Sequence, residues 1–344
     1  MVSIERKRES NIDLLRFICM LMVVSLHYFG WGGVTSAEET SKINYLISCV
    51  LSVYCRVAVN CFYMISGFFI REKDEDITTR SIGNSVLKQY KKIWRYSVLI
   101  FIVAVAVHAE KISSNGVLQA LFPIMSNTWW FATVFLLLTC IRPFVGKMLV
   151  GLKDRELALL LSCIAFFDTV QAVIGSNAFG ERGAGILHAS FMLIIGYTIK
   201  RWNGLGLSTL KGMLLYLVGC LLAGVFSIVE KRVWGAEDAH AVFYNSPLIL
   251  IASVGFFVLF LRMNCSWKWP KLIAPHVFAI YLLNDHPFVR EVTWQTILHC
   301  DDYYESRMMI VHWLFSIALF AVVGLTIDWL FDKLECYIRF PRKG

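Results

Sequence analysis

The chain has 344 residues, 57% of them hydrophobic and only 17% charged, with a formal charge of +8 and a mean hydropathy of +0.61. Soluble domains carry about 25% charged residues, so this composition excludes an ordinary soluble protein and indicates a polytopic membrane protein. Almost no chain is left over for a soluble domain: the expected fold is an all-α integral membrane protein, a single bundle of about ten transmembrane helices.

Apolar runs predict spans at about 14–30, 45–70, 93–109, 129–148, 156–175, 185–200, 211–229, 246–263, 272–289 and 308–331. With a cytoplasmic N-terminus, seven of the 33 Lys and Arg fall in outer segments: Lys42, Lys111, Arg182, Lys231, Arg232, Arg290 and Arg307. Two more, Arg16 and Arg56, lie inside spans, and the remaining 24 are cytoplasmic. This is the positive-inside bias, and it puts both termini in the cytoplasm. The basic charge is therefore topological, with the lipid bilayer as partner and no nucleic acid.

The first span holds two ionisable residues, Arg16 and His27, with ten residues between them. An eleven-residue step returns to within about 20° of the same helix face, ~16.5 Å along the axis. Both are costly in hydrocarbon, so a stripe shared by the two suggests a polar path into the membrane. The basic start followed by an apolar run resembles a signal peptide, but Arg16 and His27 interrupt it and no small-residue cleavage site follows. It reads as an uncleaved first span.

In the second span Arg56 stands about eleven residues past the outer boundary, near the bilayer centre. Asn60 is one turn further on the same face, and Ser66-Gly67 allows close helix packing. The stretch Arg71–Arg80 mixes charge signs and reads as a solvated connection. It leads to Lys88, Lys91, Lys92 and Arg95, which share one helical face. That face suits either anionic headgroups or a phosphorylated ligand.

The fourth span opens with Asn127-Thr-Trp-Trp-Phe131, and paired tryptophans at a boundary read as interface anchors. The ninth ends in Asn284-Asp285-His286-Pro287, an amide, a carboxylate and an imidazole that suit an outer loop or an acceptor site. His108, His188, His276, His299 and His312 stand singly near span ends and read as boundary residues. The ten cysteines form no C-x-x-C pair, so no metal knuckle or redox motif is expected. No H-E-x-x-H, P-loop, dinucleotide fingerprint or G-x-S-x-G occurs.

Taken in order, these pieces resemble the membrane acyltransferases of acyltransferase family 3. The residues carrying the resemblance are Asp13-Leu-Leu-Arg16 with His27 (the family's R-x10-H), Phe62-Tyr-Met-Ile-Ser-Gly-Phe68 and Lys92-Ile-Trp-Arg95. Trp130-Phe131 with Pro143, Ala279-Ile-Tyr281-Leu-Leu283 and Tyr244-Asn-Ser-Pro-Leu-Ile-Leu-Ile251 continue it, the last as in the branch that modifies bacterial surface polysaccharides. Two positions depart: Asn284 stands where the family often has His, and Ser97-Val98 where it has Pro.

The resemblance implies a multi-pass enzyme of the bacterial inner membrane. It would move an acyl group, usually acetyl, from cytoplasmic acyl-CoA to a hydroxyl of a polysaccharide or glycolipid. No bound cofactor or metal is expected; acetyl-CoA is a substrate. Within it, Arg16, Lys92 and Arg95 would bind the acyl-CoA phosphates, and His27 would act as base, or as acyl carrier. Arg56 would stabilise the oxyanion, with Asp13, Asn60, Asp285 and His286 as possible supporting residues. An imidazole, with an ordinary pKa of ~6.5, suits the base role. The alternative is a transporter or flippase for a lipid-linked polysaccharide precursor, in which the same charges bind without chemistry; no inverted repeat is visible to favour it.

Overall fold

A computed structural model describes residues 10–70, 79–107, 112–170, 173, 181–235 and 239–339. The loop 71–78, His108 and the far end of the fifth predicted span lie outside the described residues. Thirteen α-helices carry the described chain, and no strand occurs among the described residues. They are α1 (Ser10–Gly30), α2 (Lys42–Cys55), α3 (Val57–Phe68), α4 (Thr79–Ala106), α5 (Ser114–Leu121), α6 (Trp130–Gly151) and α7 (Asp154–Ala165). There follow α8 (Ile186–Arg201), α9 (Thr209–Arg232), α10 (Pro247–Arg262), α11 (Trp269–Ile273), α12 (Val277–Asn284) and α13 (Met309–Arg339).

Six segments are long and apolar enough to cross a membrane: Ser10–Gly30, Lys42–Phe68, Trp130–Gly151, Thr209–Arg232, His240–Arg262 and Met309–Tyr337. Their outer surfaces are apolar too. On α9, Leu214, Leu217, Leu221, Val225 and Ile228 are exposed, and on α13 Val322, Trp329 and Leu330. Faces of that extent are unfavourable in water and are the expected surface in lipid. The protein is an all-α membrane protein. The predicted span at 272–289 is much shorter as a helix, because α12 has eight residues and rises only ~12 Å.

Local sequence explains the helix ends. Ser41, Ser113 and Ser208 accept backbone N–H groups of α2, α5 and α9 at 3.2, 3.0 and 3.3 Å. At the start of α7, the Glu156 carboxylate accepts the Lys153 N–H at 2.7 Å. Between α2 and α3 the backbone stays helical through Arg56, whose N–H is shared by the carbonyls of Ser52 and Val53.

The core is built around α1, which packs on α2, α3, α12 and α13 and buries Ile12, Leu15, Cys19, Met20, Val24 and Tyr28. Small residues set the closest crossings. A Cβ on Gly67 of α3 would lie 1.8 Å from the Leu193 carbonyl oxygen of α8, and one on Gly196 2.0 Å from that of Met64. The Ser66-Gly67 step therefore serves packing, as its composition suggests. Gly212 and Gly255 do the same between α9 and α10.

Candidate functional site

His27 lies in the last turn of α1, which ends at Gly30, and its imidazole meets α12, with ring centres 6.1 Å apart at Tyr281. Its Nδ1 bonds to the side-chain oxygen of Asn284, the last residue of α12. The Asn284 amide nitrogen is committed to the carbonyl of Ile280 one turn back, which leaves the oxygen facing His27. An amide oxygen only accepts, so this network places an imidazole hydrogen on Nδ1, and in the neutral ring Nε2 is then the nitrogen with the lone pair. Nε2 stands 3.8 Å from the Asp285 carboxylate, and that carboxylate is fixed by the Trp31 indole N–H at 2.9 Å.

A cavity of about 740 Å³ lies in front of this group, lined by His27, Trp31, Arg56, Trp130, Tyr281 and Asp285 among others. Its lining also takes polar side chains from the connecting segments, Ser36, Asn127 and Thr128, together with Arg290. Asn127 has a left-handed backbone (φ 48°), which asparagine tolerates better than most residues. Arg56 rests over the Tyr244 ring at 5.4 Å, and no carboxylate among the described residues pairs with it. Arg56, His27 and Asp285, distant in sequence, thus share one cavity.

Other candidate residues lie elsewhere. Arg16 donates to Asp13 at 2.7 Å, on its own helix. Lys92 and Arg95 converge on Asp328 of α13, at 2.7 and 3.6 Å. The same carboxylate, wholly buried, accepts from Tyr96 at 3.1 Å and meets His276 Nδ1 at 2.8 Å. A buried carboxylate needs such partners, since desolvation without them costs several kcal/mol. Asp332 brings a third potential metal ligand to His276 and Asp328, but the Asp328 oxygen facing His276 already accepts from Lys92. None of Arg16, Lys92 and Arg95 lines the 740 Å³ cavity.

Asn60 is buried away from the cavity and does not follow Arg56 into it. Its side-chain oxygen meets His188 Nε2 at 2.9 Å, and its amide donates to the Tyr244 carbonyl at 3.0 Å and the Ser253 hydroxyl at 3.1 Å. His188 Nδ1 in turn sits 2.7 Å from Asp168. This Asp168–His188–Asn60 chain fixes the backbone of Tyr244, whose ring supports Arg56. His286 also turns from the cavity: its Nδ1 accepts the Phe288 N–H at 3.1 Å, and its ring packs edge-on against Trp129 at 4.7 Å.

One boundary reading needs correcting, and the histidines near helix starts gain partners. Trp129 is buried against His286 and so is not a bilayer-interface anchor, while Trp130 forms cavity wall beside Tyr244 at 5.9 Å. His188 and His276 are members of polar networks, and His312 pairs with the Tyr28 hydroxyl at 2.8 Å. The carboxylates Asp168 and Asp328 are not among the sequence expectations, although each interrupts an apolar run and so carries the same signal as the intramembrane cations. Asn284, which departs from the family's pattern, is a residue that touches His27.

Fold and site together define a helical membrane protein with a polar cavity built from an imidazole, a carboxylate and an arginine. The family model of the acyltransferase domain, acyltransferase family 3, matches residues 9–329, and the chain belongs to that family. No curated protein and no solved structure matches the chain.

Proposed function

We propose that this membrane acyltransferase moves an acetyl group from acetyl-CoA, entering from the cytoplasm, to a sugar hydroxyl of a cell-surface polysaccharide or glycolipid. The observation that supports it most is the tautomer assignment at His27: Asn284 holds Nδ1–H, and Nε2 faces the cavity shared with Asp285 and Arg56. The acceptor hydroxyl gives its proton to Nε2 as its oxygen attacks the thioester carbonyl carbon. Asp285, 3.8 Å from Nε2, favours the imidazolium that forms. The oxyanion of the tetrahedral intermediate faces Arg56, whose charge counts for more in a site screened from water. On collapse the carbon–sulfur bond breaks, and the imidazolium proton passes to the departing CoA thiolate.

The donor phosphates are assigned to Arg16 with Lys92 and Arg95. The latter two share one carboxylate, and both side chains keep partial exposure (17% and 26%). The extended pantetheine arm then spans the ~16.5 Å between Arg16 and His27. Ten spans, cytoplasmic termini and an inner-membrane location complete the proposal. The test is release of CoA thiol, dependent on a glycan acceptor, by purified protein in lipid nanodiscs. Thiol release by the parent and none by His27→Ala is the expected result; equal rates would remove His27 from the chemistry.

A further inference from the structure

Tyr281 stands on α12 one turn before Asn284 and Asp285, the i+3 and i+4 positions that meet His27. It is 2% exposed and lines the 740 Å³ cavity beside His27. Phe278 stacks on its ring at 6.0 Å and Phe131 meets it edge-on at 5.6 Å. Aromatic packing therefore fixes the ring without using the hydroxyl.

That hydroxyl closes no hydrogen bond among the described residues. It faces the Phe131 N–H and the Asp285 carboxylate without bonding to either, and that carboxylate already accepts the Trp31 indole N–H. A buried hydroxyl left in this state costs about 1–3 kcal/mol. Phenylalanine would keep both ring contacts and avoid that cost. A tyrosine here is explained by a partner that arrives with a ligand.

The start of α6 adds a second feature. Its first residues, Trp130 and Phe131, line the same cavity, and Trp129 makes no side-chain cap. First-turn N–H groups have no partner within their own helix, and this end of the 22-residue α6 is its positive pole. Tyr281 thus sets an O–H donor beside the positive end of a helix.

Resting on the transferase reading above, we propose that the Tyr281 hydroxyl is a catalytic hydrogen-bond donor to the thioester carbonyl oxygen. As the acceptor oxygen bonds to the carbonyl carbon, the π electrons move onto the carbonyl oxygen, and the O–H···O contact strengthens as that charge grows. The phenolic proton stays on Tyr281 throughout. On collapse the oxygen's electron pair re-forms the carbonyl, and the sulfur leaves with the pair of the broken carbon–sulfur bond. Tyr281 and Arg56 act on one oxygen from different elements, α12 and the junction of α2 and α3. A donor already set by packing needs no reorganisation when the charge appears.

Tyr281→Phe removes the hydroxyl alone, and three measurements on the full chain in lipid nanodiscs test its role. Thiol release at saturating acetyl-CoA and acceptor should fall about 10²-fold, while both KM values change by less than about twofold. The denaturation midpoint should stay level or rise, since the variant loses an unpaired buried group. Calorimetry with two inert donor analogues reads the contact without chemistry: S-acetonyl-CoA carries a carbonyl near the sulfur, and S-propyl-CoA has a methylene in its place. The parent should bind the first at least about fivefold more tightly, and Tyr281→Phe should lose most of that preference. Unchanged turnover in the variant overturns the proposal and spares the transferase, as does an equal preference in parent and variant. A lowered midpoint also overturns it, because the hydroxyl would then be holding the fold. A preference that the variant loses, without any thiol release by the parent, sinks only the transferase. No thiol release and no binding of either analogue sinks both.

Discussion

Two clusters of ionisable side chains occupy the apolar bundle, and they are resolved in opposite ways. Around Asp328, one buried carboxylate collects Lys92, Arg95, Tyr96 and His276, and nearly every charge has a partner in the protein. Around His27, the partners fix orientation but leave reactive groups lining a cavity: Nε2 near Asp285, and Arg56 over the Tyr244 ring with no carboxylate paired to it among the described residues. Intramembrane charge alone therefore does not mark chemistry. What separates the clusters is whether the buried charge at the centre is met by counter-charges from the protein or lines a cavity.

The sharpest way to break that contrast is at its centre. His27→Ala should lower acyl transfer by about 10²–10⁴-fold, the usual worth of a positioned acid–base group, with the melting temperature unchanged. His27→Gln keeps the shape and should be equally inactive; near-normal transfer in either would put the two clusters on the same footing. The reverse pattern is expected at Asp328. Asp328→Ala strands Lys92 and Arg95 in the bundle and should cost about 3–5 kcal/mol of stability, read by denaturant titration in detergent. Adding Lys92→Met should recover part of that loss, and no recovery would mean that the pair is not coupled.

Smaller effects sharpen the division within the reaction path. Arg56→Ala should depress turnover at saturating acetyl-CoA by about 10²–10³-fold, as loss of an oxyanion donor does. Arg16→Ala should instead weaken acetyl-CoA binding, and more than Arg16→Lys, which keeps the charge without the forked geometry. If calorimetry found equal losses of donor affinity for Arg16→Ala and Arg56→Ala, the separation of donor and reaction sites would collapse. Smallest is Asn284→Leu, which releases the His27 tautomer. Loss of one hydrogen bond worth ~1 kcal/mol should slow transfer by about five- to tenfold, and an unchanged pH–rate profile would show that Asn284 does not set the tautomer.

The class of the molecule was legible from composition, and the six longest apolar helices from hydropathy alone, because lipid imposes a length and a polarity that a window of residues records. His27 and Arg56 were legible for the same reason: an ionisable group in hydrocarbon stands out without any knowledge of its neighbours. Asp168 and Asp328 carried the same signal. Their role is not legible along the chain, because the pairing that explains them joins helices more than a hundred residues apart in the case of Asp328 and Lys92.

What the sequence by itself determined is the kind of protein, the run of its spans and the residues too polar to be idle in a membrane. Only the tertiary structure decided which of those residues face a cavity and which neutralise one another. Helical periodicity puts Asn60 on the face of Arg56, but helix packing turns Asn60 into the Asp168–His188 chain and leaves Arg56 against Tyr244. The three neighbours Asn284, Asp285 and His286 divide similarly. The first orients His27, the second faces its free nitrogen, and the third packs against Trp129, because α12 ends between them and each side chain leaves the backbone in its own direction. Spacing along the chain specifies direction within one helix; the partner across the gap is supplied by how the helices cross.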